Sequence, residues 1–339
     1  MSKLVSVRGP HARGPMDNIR IQWNMGNSCN YNCEYCPPIL HDGSKPWLPL
    51  ESYLTAIERL CKHYNSLDKR VDFELIGGEV TVIPGFEDII RKIDQFNTHN
   101  VVFTNGSRTV NWWSKAKYYM DGVVLTFHPQ TQDKQHIIDV INEIKEDVTI
   151  DINIAGIGGQ VQDLGDFVEE LRNLFLNCNR NTYDNVSICV KTMYKKLLGH
   201  QSKQETYWQY TDKELEVLQR PGIKPMPVEH IDHIEDEEPK EHVPDTSWMT
   251  EFLYEDGTTK YVQSHQIINE GLNSFKDMKC HLGFESLNID ASGDMYSSWC
   301  GAVNFGNVAD SNWSLPASKV ICPYQYCNNI SDISITKTI

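Results

Sequence analysis

Three thiols in one short stretch, Cys29-Asn30-Tyr31-Asn32-Cys33-Glu34-Tyr35-Cys36, carry the spacing Cys-x3-Cys-x2-Cys. A tight loop of this kind presents three thiolates to a single metal centre and leaves one coordination position free. Purely structural zinc and cluster sites normally take four protein ligands. Three therefore point to a centre kept open for a substrate or cofactor. The competing reading is a zinc loop completed by a nearby fourth ligand such as His41.

A second group, Cys280, Cys300, Cys322 and Cys327, lies towards the C-terminus. A hairpin signal, residues 286–296 with Ser292-Gly293-Asp294 at its turn, separates the first two. Four thiolates can hold structural zinc or a fully thiolate-ligated cluster. The remaining Cys61, Cys178 and Cys189 lie in apolar contexts and read as buried small hydrophobes. Seven of ten cysteines in two ligand-like groups fit intracellular metal binding better than disulfides.

Other polar groups stand at the ends of strand-like runs. Glu79 follows Gly77-Gly78; its carboxylate can accept charge-assisted hydrogen bonds from an ammonium, and the glycines would let backbone come close to a ligand. Asn105, Thr126, His128 and Asn153 occupy comparable positions, with the Gly-rich 156–159 stretch following Asn153. Capping or core hydrogen bonding is the ordinary alternative for such residues.

The cysteine loop, with aromatic Tyr35 just before its last Cys, and Gly77-Gly78-Glu79 one strand later resemble the signature of the radical S-adenosylmethionine (radical SAM) superfamily. The resemblance implies that Cys29, Cys33 and Cys36 hold three irons of a 4Fe–4S cluster. The fourth iron would chelate the amino and carboxylate groups of S-adenosylmethionine. One electron then cleaves the sulfonium and yields a 5′-deoxyadenosyl radical that abstracts hydrogen from substrate. By the same resemblance Tyr35 packs by the adenine and Gly77, Gly78 and Glu79 serve the ammonium. Asn105, Thr126 and His128 are candidates for ribose or carboxylate contacts, and Asn153 with the 156–159 loop for the adenine side.

The C-terminal segment resembles the one-cluster twitch variant of the SPASM extension, although the gap from Gly293 to Cys300 is longer than the usual pattern. This implies an auxiliary 4Fe–4S cluster on Cys280, Cys300, Cys322 and Cys327. A cluster ligated by four thiolates has no position for substrate, so its expected role is electron relay.

Elements must bring these groups together. From Ile19 to about Met193 short β-branched runs alternate with amphipathic helical stretches, the pattern of a parallel sheet covered by helices. Strands are expected at 19–25, 71–76, 101–104, 122–127, 148–154 and 185–190. Helices are expected at 51–64, 86–93, 112–119, 133–146 and 164–176, each with an apolar face at helical spacing. The expected fold is α/β, a partial (β/α)6 TIM-like barrel, with the candidate residues at the C-terminal strand ends where barrel sites lie. Residues 1–18 read as an N-terminal extension and 19–200 as the barrel. Residues 201–270 read as a polar excursion with a helix near 212–218 and a hairpin turning at Asp256-Gly257. Residues 271–339 read as the small cysteine-rich α+β twitch-like segment. The acidic run 229–241 reads as a solvated loop, with a lid over the site as its functional option.

With 339 residues and 40% hydrophobic content, the chain can hold one large domain and a smaller one. A net charge of −15 without a Lys/Arg block argues against a nucleic-acid polymer as partner, though not against a free nucleotide. No apolar run approaches the roughly 20 residues of a membrane helix, and residues 1–15 contain no signal-peptide core. A cytoplasmic location is expected. The expected function is a radical SAM enzyme acting on a small-molecule or nucleotide-type substrate, reduced by a partner such as flavodoxin or ferredoxin. The reaction subclass stays open. The alternative is a radical SAM maturase that modifies a peptide or protein, and a further one is a non-catalytic iron–sulfur or zinc protein.

Overall fold

Strict alternation of apolar and polar residues shapes the main sheet. The computed structural model describes residues 2–10, 12, 17–175, 186–192, 210–218, 246 and 249–339. After β1 (Leu4–Arg8), β2 (Asn18–Asn24) points Ile19, Ile21 and Trp23 to one side, all buried. α1 (Leu50–Ser66) covers that side with Tyr53, Ile57, Leu60 and Cys61. The unit then repeats as β3 (Arg70–Ile76), α2 (Phe86–Ile93), β4 (Thr98–Thr104), α3 (Val110–Ala116), β5 (Gly122–Phe127), α4 (Lys134–Ile144), β6 (Thr149–Gly156), α5 (Val161–Phe175) and β7 (Val186–Thr192). In α2 the spacing of Phe86, Ile89, Ile90 and Ile93 puts all four against the core. Each such burial contributes about 1.5–3 kcal/mol.

Strands β2 to β7 pair in sequence order and all in parallel. Parallel pairing puts every carboxyl end at the same edge, which is what a site drawn from several strands requires. The opposite face of β2 and β3 is polar: Gln22 donates to Glu74 at 3.0 Å, and Arg70 pairs with Asp72 at 2.6 Å. A cavity of about 220 Å³ lies against this face, bordered by Arg20, Glu74, His99 and Ser331.

The chain continues through α6 (Asp212–Leu218), β8 (Thr250–Tyr254), β9 (Thr259–Val262), α7 (Ser264–Asn269), β10 (Lys279–Cys280), β11 (Ser286–Ile289), β12 (Asp294–Tyr296), β13 (Asn304–Asn307), β14 (Val320–Ile321), α8 (Ile330–Ile333) and β15 (Lys337–Thr338). The hairpin β11–β12 forms where turn chemistry predicts it, but β11 also pairs in parallel with β2. The main sheet therefore runs β13-β12-β11-β2-β3-β4-β5-β6-β7. A second sheet, β14-β10-β15-β1-β8-β9, joins the start of the chain to its end.

This second sheet departs from the expectation for residues 1–18, where no strand is foreseen. Val7 of β1 pairs with Lys337 and with Phe252, partners too distant in sequence for any local pattern to reveal. The six expected barrel strands, the helices between them and the Asp256-Gly257 hairpin are present, most with ends shifted by one to three residues. Cys61 is buried on the core-facing side of α1, whereas Cys189 is half-buried beside Asn153. Cys178, the acidic run 229–241 and the lid reading fall outside the described residues. Among the described residues no helix is long and apolar enough to cross a membrane.

Candidate active site

The cysteine loop leaves the carboxyl end of β2 and is fastened to the end of β3 by backbone alone. Gly78 N–H donates to Gly26 O and Glu79 N–H to Ser28 O, each at 2.9 Å. A Cβ on Gly78 would lie 2.2 Å from Ser28 O, and one on Gly77 2.7 Å from Gly26 O. The two glycines are therefore required by the approach of the segment preceding Cys29, a neighbour different from the ligand they suggest in sequence. The far side of the loop is tied by Asn27, whose amide donates to Ile39 O and Asp42 Oδ1 at 2.8 Å.

Glu79 turns inward. It is 1% exposed, and Oε1 accepts from Thr81 N–H at 3.0 Å, Thr81 Oγ1 at 2.6 Å and Thr104 Oγ1 at 2.7 Å. Its Oε2 accepts from Asn105 N–H at 2.6 Å. Burial pushes its pKa up while these donors pull against the shift. The carboxylate is thus saturated from within the protein and faces its own scaffold. In sequence a Glu after two glycines looks the same either way.

Asn105 extends that scaffold to the thiols. Its amide donates to Asn30 Oδ1 at 2.9 Å and lies 3.9 Å from Cys29 Sγ, while Asn30 donates to Ser107 Oγ at 2.9 Å. Gln132 bridges the next two strand ends, donating to Asn105 O and accepting from His128 N–H. Asn30, Ser107 and Gln132 carry no motif, and only their place beside strand ends could have flagged them.

His128 follows β5 and reaches the loop. Its Nδ1 lies 2.5 Å from the Tyr35 hydroxyl and 3.6 Å from Cys33 Sγ, and its ring stacks on Tyr35 with centroids 5.9 Å apart. Burial lowers its pKa to about 4 and raises that of Tyr35. Cys33 and Tyr35 pack with Ala155 and Ile157, so the stretch after Asn153 does meet the cysteine loop. Thr126 and Asn153 are cross-strand neighbours in β5 and β6. His41 Nε2 donates to the Cys36 carbonyl at 3.0 Å, which leaves Nδ1 as the nitrogen that a zinc ligand would use.

Burial raises the thiol pKa values of Cys29 and Cys36, the latter to about 11, and the neighbouring thiols add to both. Such thiols stay protonated until a metal displaces the proton.

The four C-terminal cysteines line one cavity with Tyr324, Tyr326, Asp332 and Lys337. Burial pushes Cys280 and Cys327 up to about 11 and Cys300 to about 12, and each senses at least one other thiol of the group. Asn273, 5% exposed, clamps Cys327 by accepting its N–H through the Asn273 carbonyl at 2.8 Å and donating its amide to the Cys327 carbonyl at 3.0 Å. Among the described residues no three His, Cys, Asp or Glu side chains are gathered tightly enough to grip a single ion. What unites each thiol group is a shared cavity or loop and mutual electrostatic influence. Thiols grouped in this way are the donors that either a four-iron cluster or a zinc ion would use.

No family model matches the chain. Over 108 residues it is 28% identical to the sporulation killing factor maturation protein SkfB of Bacillus subtilis (strain 168). That stretch takes in 30% of this chain and 24% of SkfB, so the chain matches about a quarter of the length of this curated relative. Among solved structures, anSMEcpe with bound AdoMet superposes over 87% of this chain and 79% of its own, at 12% identity and a TM-score of 0.48. Streptococcus suis SuiB bound to S-adenosylmethionine superposes over 87% and 64%, at 12% identity and a TM-score of 0.46. Likenesses at this level carry no weight beside the chain's own residues. A three-thiol loop after one parallel strand, locked by backbone onto a Gly-Gly-Glu strap after the next, is the arrangement that the sequence's resemblance to the radical SAM superfamily implies.

Proposed function

We propose that the chain binds S-adenosylmethionine through a 4Fe–4S cluster held by Cys29, Cys33 and Cys36, cleaves it reductively, and takes hydrogen from a substrate. The observation that carries this reading is the network from Glu79 through Asn105 and Asn30 to the Cys29 loop. When bound, the cluster supplies one electron to the sulfonium, which releases a 5′-deoxyadenosyl radical.

The chain's own residues do the rest. The three cysteines give up their protons to metal. Glu79 fixes the strap and the end of β4 from behind, leaving the strap's exposed Gly77 backbone to meet the ligand's ammonium. Tyr35, Ala155 and Ile157 form an apolar wall suited to the adenine. Asn105, Thr126, His128 and Asn153 supply polar contacts for ribose and carboxylate. The C-terminal thiols hold an auxiliary 4Fe–4S cluster as electron relay, and a flavodoxin or ferredoxin serves as reductant.

Two substrate readings stand. The polar sheet face with Arg20, Glu74 and His99 suits a polar small molecule or nucleotide. A peptide or protein is favoured by the SkfB stretch, since SkfB is a maturation protein. Calorimetry with S-adenosylmethionine on the anaerobically reconstituted chain tests the shared part. Saturable binding that is lost when Cys29, Cys33 and Cys36 are all changed to Ala supports it, and absence of binding to iron-loaded protein contradicts it. Deuterium passing into 5′-deoxyadenosine from labelled peptides or from labelled nucleotides separates the two substrates.

A further inference from the structure

Lys337 stands directly opposite Cys280 in the antiparallel pair of β15 and β10, and it lines the cavity that the four C-terminal thiols share. It is 1% exposed. Its Nζ donates to the carbonyls of Asp332, Ile333 and Ile335 at 2.7, 3.1 and 2.7 Å, and lies 4.8 Å from the Phe275 ring centroid. Its three N–H groups are therefore spent on neutral oxygens. The carboxylate in the cavity wall, Asp332, accepts from the Ser298 hydroxyl through Oδ1, and its Oδ2 has no hydrogen-bond partner among the described residues. Lys337 makes no ion pair among the described residues, although Asp332 feels its charge, and a buried ammonium held by neutral oxygens is costly. The field of Lys337 falls on Cys280 and Cys327, where it favours the thiolates.

We infer that Lys337 is the charge partner of the C-terminal thiolate centre and raises its reduction potential. The inference rests on the reading of Cys280, Cys300, Cys322 and Cys327 as ligands of a four-iron cluster. Four thiolates around such a cluster leave a net negative charge, which grows when an electron is added. Cluster potentials follow local charge, hydrogen bonding and exposure. A fixed cation across one strand pair stabilises the reduced form more than the oxidised one. A lysine that is neutral at this site, or whose charge Asp332 cancels, would satisfy the same carbonyls and leave the potential unmoved.

The test uses the full chain carrying Cys29→Ala, Cys33→Ala and Cys36→Ala, so that the C-terminal centre is the one left to titrate. After anaerobic reconstitution, its midpoint potential is read by electron paramagnetic resonance. Lys337→Gln keeps amide donors for the carbonyls but drops the charge. It is expected to retain about four iron and four sulfide and to disfavour reduction at least tenfold, about 59 mV for a one-electron couple. Lys337→Arg, which keeps the charge, is expected to hold the parental potential. Iron lost from the Gln variant but kept by the Arg variant, with apo chains that melt at the parental temperature, supports the charge partnership, because the centre then needs the cation to hold its iron. A Gln variant titrating at the parental potential overturns the inference. So does loss of iron from both variants, or a Gln variant whose apo chain melts early and loses iron with its fold. A parent that takes up zinc, or no iron, defeats the four-iron reading before any change at Lys337, and the charge role with it.

Discussion

Glu79 and Asn105, at the carboxyl ends of the adjacent strands β3 and β4, are joined by a 2.6 Å hydrogen bond from the Asn105 backbone N–H to the Glu79 carboxylate. The Asn105 side chain then reaches Asn30 and approaches Cys29. A carboxylate that reads from sequence as a ligand contact is therefore a brace for the loop that carries the thiols. Its effects on cofactor binding travel through the scaffold.

Glu79→Ala should accordingly destabilise the apo chain by about 3–5 kcal/mol, because it strands buried donors of Thr81, Thr104 and Asn105. Iron content after reconstitution should fall together with S-adenosylmethionine affinity. Denaturant melts and iron assays check this. A variant with unchanged stability and full iron would show that Glu79 is no brace.

Asn105→Ala should cost about 1 kcal/mol of stability, the usual net worth of a hydrogen bond. Its larger effect should be on the loop, since Asn30 loses one of its two bonds to the segment after β4. We expect slower 5′-deoxyadenosine formation at normal iron content. Equal rates for the variant and the parent would remove Asn105 from the site.

Gly78→Ala places a Cβ 2.2 Å from the backbone oxygen of Ser28, which no side-chain rotation can relieve. A loss of about 2 kcal/mol or more, with reduced iron at the first centre, is the expected outcome of melting and metal analysis. A normally stable, fully loaded Gly78→Ala chain would mean that the strap does not hold the loop.

Cys300→Ala separates the two centres. Removing one thiol from the C-terminal cavity leaves the Cys29 loop and its braces untouched. Formation of 5′-deoxyadenosine should persist while iron falls from about eight to about four per chain and substrate turnover stops. Zinc in the parent, with iron unchanged by the substitution, would remove the relay role.

Much of this was legible in the sequence. The period-two runs of β2 and β3 and the helical spacing of Phe86, Ile89, Ile90 and Ile93 are local signals, and the structure places them where those periods require. Cys29, Cys33 and Cys36 announce themselves by spacing. Long-range pairing leaves no such trace. β1 has its partners at Phe252 and Lys337, and β11 joins β2 in parallel although a hairpin alone is signalled. The direction of the Glu79 side chain was equally hidden, because it depends on Thr81 and Thr104 offering hydroxyls inside the fold. The clamp from Asn273 onto Cys327 spans half a domain and follows no motif.

If the Cys29 loop holds the cluster proposed for it, the chain cleaves S-adenosylmethionine reductively. The most direct measurement is 5′-deoxyadenosine formed under dithionite by the anaerobically reconstituted chain, beside the same chain with Cys29, Cys33 and Cys36 all changed to Ala. The parent, carrying about eight iron, should give steady product, and the triple variant, carrying about four, none. Product formed by the triple variant at the parental rate, or none from an iron-loaded parent, would contradict that role of the loop.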